Sequence, residues 1–308
     1  MRAEVENAVS LLQSGQPGAL EQALTLLQDT VFSFSMKVCG QREDAEDTMQ
    51  DVLLKSVPYL PKFDSPKALA VWLYTVAKNR CLMSRRKSKF APREELSLEE
   101  LMPDAAELDH LAAMASGEAS PESALLESER GELLRQAILK LPPEYRLILV
   151  LHDMEELSTQ EIARITRLKE GNVRVRLHRA RLFVRKELAE AEAKAGVTTT
   201  KPAPRRRPKA RAGADGRRTG AEAAHRPGAC KQMFAQLSDY LDGALDDSMC
   251  EELERHMDDC KPCQAFLATL KNTVEQTRKL ETVRPDPRTA SEIRRRILGE
   301  FQKALAGK

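Results

Sequence analysis

An all-α fold, divided into small units on solvated tethers, follows from three features of the 308-residue sequence. Aromatic residues make up only 4% and charged residues 31%, a balance suited to small helical units rather than one large core. Strand formers are sparse, and long stretches are mixtures of Leu, Ala, Glu, Arg and Lys, which argues against a sandwich or a barrel. Breaks rich in proline and glycine separate the helical blocks. The 42% apolar content is enough for two or three such cores. No apolar run approaches the roughly 18 residues of a membrane-spanning helix. The N-terminal MRAEVENAVSLLQSGQ carries acids where a signal peptide needs a basic start and an apolar centre. A cytoplasmic protein with no membrane contact is expected.

The blocks follow in order. Residues 1–90 read as helices, broken at Gly15-Gln16-Pro17-Gly18 and again over 58–66. Residues 91–122 are acidic and carry Pro92, Pro103 and Pro121, the composition of a flexible linker. Residues 123–192 are helical again, with a break at Pro142-Pro143. Residues 193–228 have too little apolar surface to fold alone. From Lys201 to Gly228 there are nine Lys/Arg against two Asp/Glu, so the net charge of +2 conceals segregated blocks. This basic tether suits either a soluble spacer or an arm that binds DNA without sequence preference. Residues 229–308 form a last helical unit, which holds a cluster of cysteines.

The most informative stretch runs from Leu139 to Leu188. Leu147, Leu151 and their apolar neighbours mark one helix. Ser158-Thr159-Gln160-Glu161 reads as the start of another, with Ser158 at the N-cap and Glu161 three positions on, a capping box. Ile162, Ala163 and Ile165 follow, then a turn over 167–170, then a final helix from about Gly171. Two short helices joined by a tight turn are the helix-turn-helix that enters the major groove. At about 100° per residue, Val173, Leu177 and Ala180 face inward. Asn172, Val175, His178 and Arg179 then face outward, flanked by Arg174, Arg176 and Arg181. Such a face offers donors to base edges and arginines to phosphates. A basic helix alone would be an ordinary solvated face; the capping box and the turn spacing favour DNA.

Leu141-Pro142-Pro143-Glu144-Tyr145-Arg146, Leu157-Ser158-Thr159-Gln160-Glu161-Ile162-Ala163 and Gly171-Asn172-Val173-Arg174-Val175-Arg176-Leu177-His178-Arg179-Ala180-Arg181 together resemble the C-terminal domain of extracytoplasmic-function sigma factors. The resemblance implies that this helix-turn-helix reads the −35 promoter element. Asn172 stands where Thr is common in that family, a departure expected to keep the fold and alter sequence preference. Upstream, Gln41-Arg42-Glu43-Asp44-Ala45-Glu46-Asp47-Thr48-Met49-Gln50-Asp51-Val52-Leu53-Leu54 and Trp72-Leu73-Tyr74-Thr75-Val76-Ala77-Lys78-Asn79-Arg80, running into Ser84-Arg85-Arg86-Lys87-Ser88-Lys89, resemble the first sigma domain. The likeness covers about residues 20–190, with both motif sets in the expected order.

That likeness carries roles over by position. The helix around Asp44–Leu54 would dock on core RNA polymerase, with Asp44, Asp47, Gln50, Asp51 and Leu54 as candidate contacts. The helix from Trp72 would hold the −10 element. Promoter melting needs an unstacked base held in a pocket and its phosphates neutralised. Asn79, Arg80, Met83 and Ser84 are candidates for the pocket, and Arg85, Arg86 and Lys87 for the phosphates. Without the family, residues 43–51 are an ordinary solvated acidic face. Trp72 is then more readily a core residue than a stacking platform, and Cys39 and Cys81 are buried small hydrophobes.

Of six cysteines, Cys230, Cys250, Cys260 and Cys263 fall within 34 residues. In a reducing compartment such a cluster points to a metal or redox site rather than a disulfide framework. His256-x3-Cys260-x2-Cys263 places an imidazole and a thiolate one helical turn apart, with a second thiolate just past Pro262. These three leave a tetrahedral zinc one ligand short. Cys230 returns to the site if two helices form a hairpin that reverses over 240–245. Cys250, six residues before His256 on the other side of the same helix, is the weaker candidate.

The pattern resembles the zinc-binding anti-sigma domain, a small helical fold that clamps between the two sigma domains and masks their polymerase-binding surfaces. It implies zinc held by Cys230, His256, Cys260 and Cys263, and an intramolecular contact between this unit and the sigma domains. A helix over 289–305 matches the position of that family's last helix, which packs on the first sigma domain. Ile293, Ile297, Phe301 and Leu305 give it an apolar stripe that suits such a groove, or suits capping its own unit. The zinc is either structural or a sensor whose thiolates are open to oxidation.

The implied function is a sigma factor that directs core RNA polymerase to promoters with −35 and −10 elements, regulated in cis by its zinc-binding C-terminal domain. The alternative is a helix-turn-helix regulator with a structural zinc domain that acts without the polymerase. An enzyme has little support, because four protein ligands leave zinc no open position for water.

Overall fold

The computed structural model describes residues 3–84, 95–103, 107, 123–195 and 227–306. Among the described residues every regular element is a helix, as the composition requires. The N-terminal bundle comprises α1 (Ala3–Ser14), α2 (Ala19–Cys39), α3 (Arg42–Ser56) and α4 (Pro66–Ser84). Its axis is α2, whose Leu24, Leu27, Val31, Phe34 and Val38 are buried among the other three helices. Gly40 ends α2 at φ 75°, with its N–H on Met36 O, a left-handed cap that a side chain would strain.

Cys39 and Cys81 depart from the sequence reading. Both are buried as expected, yet they are joined as a disulfide between the end of α2 and α4. The packing of those two helices brings their Cα atoms to 5.5 Å, a separation a disulfide spans. A sequence separation of 42 hides that proximity from any local pattern.

Part of the presumed linker is also packed. The short helix α5 (Leu98–Leu101) buries Leu101 in a cluster with Leu182, Phe234 and Phe266, and the Leu96 N–H donates to Tyr145 Oη at 3.3 Å. Glu107 pairs with Arg185. Residues 91–94, 104–106 and 108–122 lie outside the described residues.

The second domain contains α6 (Ser123–Lys140), α7 (Pro143–Leu149), a π-helical turn over Val150–Met154, α8 (Thr159–Thr166) and α9 (Glu170–Ala195). Pro142-Pro143 separates α6 from α7, since proline cannot continue the hydrogen-bond ladder. The capping box forms: Ser158 Oγ accepts from the Glu161 N–H, and Glu161 Oε2 accepts from the Ser158 N–H at 2.8 Å. Leu134, Ile138, Leu141, Leu149, Ala180 and Val184 make this domain's own core. Leu147, Ile148, Leu151, Ile162 and Ile165 belong instead to the core of the N-terminal bundle, so the two domains are packed together without a break.

The C-terminal unit begins with a hairpin, α10 (Pro227–Leu241) and α11 (Asp247–Asp259), that reverses at Gly243 with φ 63°. Next come α12 (Lys261–Lys279) and α13 (Pro287–Ala306). Met233, Phe234, Leu237, Leu253, Phe266 and Leu270 pack on one another and on Leu182 of α9. α13 stands apart from this cluster and lies along α2 and α3, with Ile297 only 1% exposed in the N-terminal core and Arg294 donating to Thr25 Oγ1. The side chains of Phe301 and Leu305, and residues 196–226 of the basic tether, lie outside the described residues.

Candidate nucleic-acid interface and metal centre

The second helix of the helix-turn-helix, α9, buries Val173, Leu177 and Ala180 as the wheel requires. On its outer side Asn172 is exposed and Val175 is 50% exposed, with Arg179 half-buried beside them. Arg174 is held by Glu170 at 2.9 Å, and Arg176 by Glu144 at 2.8 Å. These five residues form a basic edge of the kind that reads a groove.

His178 and Arg181 do not join that edge, contrary to the wheel. His178 is 6% exposed, with Nδ1 2.9 Å from Ser238 Oγ of α10. Arg181 is 1% exposed; its Nε and Nη2 donate to Asp153 at 2.9 and 2.6 Å, and its Nη1 and Nη2 to Asp242 at 2.9 and 2.8 Å. A wheel treats α9 as an isolated surface helix and has no knowledge of α10, whose residues cover this flank. Arg185, one turn further on, lies 4.1 Å over the ring of Phe266 of α12.

Burial, with the charges of Arg181 and Arg179 behind it, lowers the His178 pKa to about 4, and its Nε2 is buried without a partner. The ring is therefore neutral at pH 7. Free of the contact it would titrate near 6.5. Because the closed value is the lower one, the α9–α10 contact is at full strength above about pH 6.5 and weakens as pH falls from there toward 4, by up to ~3 kcal/mol. Limited proteolysis of the C-terminal unit at stepped pH should show this loss of protection, and His178→Gln should flatten the profile.

On α3, Asp47 is exposed, while Asp44, Gln50, Asp51 and Leu54 are half-buried. Asp47 and Gln50 line one wall of a cleft whose other wall is Thr289, Glu292, Ile293 and Arg296 of α13. Arg80 turns toward this acidic face, with Nε 2.9 Å from Asp51 and Nη2 3.8 Å from Asp47, while Asn79 next to it is exposed. Trp72 is half-buried between Tyr59 and Phe63, with ring centroids at 5.9 and 6.0 Å. Met83 and Ser84 complete α4, but their side chains, and the whole of Arg85, Arg86 and Lys87, lie outside the described residues.

His256, Cys260 and Cys263 come together at the junction of α11 and α12, their ligand atoms all within 4.8 Å of one another. His256 Nε2 is 3.4 Å and Cys260 Sγ 3.3 Å from Cys263 Sγ. Around a zinc with bonds of 2.0–2.3 Å, tetrahedral ligands lie about 3.3–3.8 Å apart, so this donor set fits the metal. Cys250 is outside the cluster. Cys230 falls in the first turn of α10, with its side chain outside the described residues.

A capped helix-turn-helix with a basic second helix places the chain among the helix-turn-helix DNA-reading proteins. Comparison with known families makes this specific. Residues 24–90 match the model of sigma-70 region 2, residues 131–184 that of sigma-70 region 4, and residues 230–264 the model described as "Putative zinc-finger". The chain is 26% identical to the ECF RNA polymerase sigma factor SigW of Bacillus subtilis over 190 residues, 62% of this chain and 100% of that protein. It is 30% identical to the RNA polymerase sigma factor YlaC of the same organism over 149 residues, 48% of this chain and 80% of that one. With the RNA polymerase sigma-H factor of Pseudomonas aeruginosa it shares 28% over 186 residues, 59% and 93% of the two chains. The chain belongs to the sigma-70 family of RNA polymerase sigma factors, in its extracytoplasmic-function branch, and so serves transcription initiation. Membership implies core RNA polymerase and promoter DNA as partners.

Proposed function

We propose that this sigma factor carries its own inhibitor: the C-terminal unit holds the sigma domains in a form that cannot engage polymerase and promoter together. The observation that carries this reading is the burial of His178 and Arg181 of the reading helix against Ser238 and Asp242 of α10. The cleft that α13 makes with Asp47 and Gln50 of α3 supports it at the other domain. An inhibitor joined covalently to its target by a chain of the length of residues 196–226 acts at an effective concentration on the order of millimolar, so a modest contact suffices.

In the open form Asn172, Val175 and Arg179 read the −35 element and Arg174 and Arg176 hold its phosphates. Asn79 and Met83 to Lys87 serve the −10 element, and Asp44, Asp47, Gln50, Asp51 and Leu54 meet the polymerase. His256, Cys260 and Cys263, with Cys230 as the fourth ligand, hold a zinc that fixes the α11–α12 junction. The protein acts in the cytoplasm, where core polymerase is, and binds and positions rather than catalyses. Run-off transcription tests the proposal by comparing the full chain with one ending at Glu192, using core polymerase and the chain's own upstream region as template. The shorter chain is expected to give several-fold more transcript. Equal or weaker transcription by the shorter chain would make the C-terminal unit neutral or activating.

A further inference from the structure

We infer that the two sigma domains also hold each other shut, through a reciprocal helix-capping latch centred on Glu155 that the C-terminal unit reinforces but does not create. The inference rests on the two-element promoter reading and is independent of the C-terminal unit's sign.

Each domain supplies a cation to the end of a helix in the other. From the second domain, Arg146 Nη1 donates to Val38 O at 3.3 Å, one of the last carbonyls of α2, while its Nη2 donates to Leu141 O at 2.9 Å. From the N-terminal bundle, Lys78 Nζ donates to Ile165 O at 2.8 Å, one of the last carbonyls of α8. Terminal carbonyls have no partner within their own helix and carry its partial negative charge, so a buried cation there is matched twice over. Both cations are buried. Between them sits Glu155, its side chain fully buried, with Lys37 Nζ at 3.1 Å and Tyr74 Oη at 2.7 Å, both from the N-terminal bundle. Lys67 of α4 reaches the capping-box Glu161 at 3.0 Å. Buried charge is costly unless paired and hydrogen-bonded. Glu155 and Glu161 each meet a lysine of the other domain, whereas Lys78, its pKa lowered by burial and by the charge of Arg167, is held by the Ile165 carbonyl.

This arrangement is incompatible with reading two promoter elements at once. Elements centred about 25 base pairs apart, at about 3.4 Å each, lie roughly 85 Å from one another. Domains that share a core cannot span that distance. Residues 91–122 reach about 110 Å when extended, enough to let the domains part. Opening must therefore break the Glu155 contacts and both helix caps, and the apparent affinity for polymerase is the intrinsic affinity scaled by the open fraction.

The test reverses a charge and then restores the pair. In the full chain Glu155→Lys sets a cation against Lys37, and the double variant Lys37→Glu/Glu155→Lys rebuilds an ion pair at the same place. Circular dichroism melting first establishes that each variant is folded. The single variant is expected to bind core polymerase roughly tenfold tighter or more, and the double variant to return toward the native value. Unchanged affinity in the single variant, or a double variant as tight as the single, overturns the latch. The chain ending at Glu192, assayed beside them, keeps the two readings apart. If the shorter chain binds tighter and Glu155→Lys does not, the latch fails and the tethered inhibitor stands. If Glu155→Lys binds tighter and the shorter chain does not, the latch stands and the inhibitor fails.

Discussion

Treating the full chain with a chelator to remove the proposed zinc, or replacing Cys263 by serine, is expected to unfold α10–α12 while the sigma domains keep their helices. Cys263 is buried inside the small cluster of Phe234, Leu253, Phe266 and Leu270, so its sulfur is part of the core as well as a ligand of the proposed zinc. A unit of this size has little apolar surface of its own to bury, and structural zinc in comparable units supplies an apparent ~10–16 kcal/mol at neutral pH. Loss of that term exceeds what a few phenylalanine and leucine contacts replace. Circular dichroism should show a partial loss of helix, and metal analysis should fall from one equivalent to none. Cys250→Ser is the control: Cys250 lies outside the ligand cluster, and its variant should keep both metal and helix. A folded wild-type unit that contains no metal would sink the zinc assignment. With the unit unfolded, His178 and Arg181 lose Ser238 and Asp242, and transcription is expected to rise to the level expected of the chain ending at Glu192.

The second large effect falls on Arg181. Its guanidinium is buried against the wholly buried carboxylate of Asp153, which also accepts from His152. Burial alone would raise the Asp153 pKa, but the charge and hydrogen bonds of Arg181, with those of His152, hold it well below the usual carboxylate range. Arg181→Ala leaves the buried Asp153 carboxylate with only His152 beside it, and the full chain is expected to lose about 3–5 kcal/mol of stability. An apolar replacement, Asp153→Leu with Arg181→Met, should recover the part of that loss that comes from the buried Asp153 charge, while Asp242 keeps His152 at 3.8 Å and Arg278 at 3.7 Å. Denaturant unfolding of the three chains checks the pattern. A single variant within 1 kcal/mol of the native chain would remove the pair from the account of stability. The pH dependence has a definite sign: a carboxylate whose folded pKa is depressed contributes fully above its unfolded value near 4. That contribution is lost as pH falls toward the folded value. Chains without Asp153 should lack this acid-side loss.

What local spacing encodes was legible in the sequence. The capping box at Ser158 and Glu161, the break at Pro142-Pro143, the reversal at Gly243 and the meeting of His256, Cys260 and Cys263 each depend on residues a few positions apart. The pairings between domains depend on residues far apart. His178 meets Ser238 across 60 positions, Arg181 meets Asp242 across 61, and Glu155 meets Lys37 across 118. Helical periodicity reports only which side of a helix is apolar, so it assigns polar residues such as His178 and Arg181 to solvent by default. Glu155 carried no local sign at all. Only the matching of its charge to a cation and a phenol on another domain reveals it. The Cys39–Cys81 pair was hidden in the same way, because each cysteine alone looks like an ordinary small core residue.

The C-terminal unit completes its core with Leu182, a residue of the reading helix. That sharing has a consequence in time. Chains leave the ribosome from the N-terminus, and domains fold as they emerge. The surface that Leu182 helps form is therefore in place before α10 exists. At about 5–20 residues per second, the stretch between the end of α9 and the end of α13 takes roughly 5–20 s to appear. Every molecule thus passes through a brief interval as an untailed sigma factor, and then acquires its proposed restraint at a strict one-to-one dosage that no change in expression can alter.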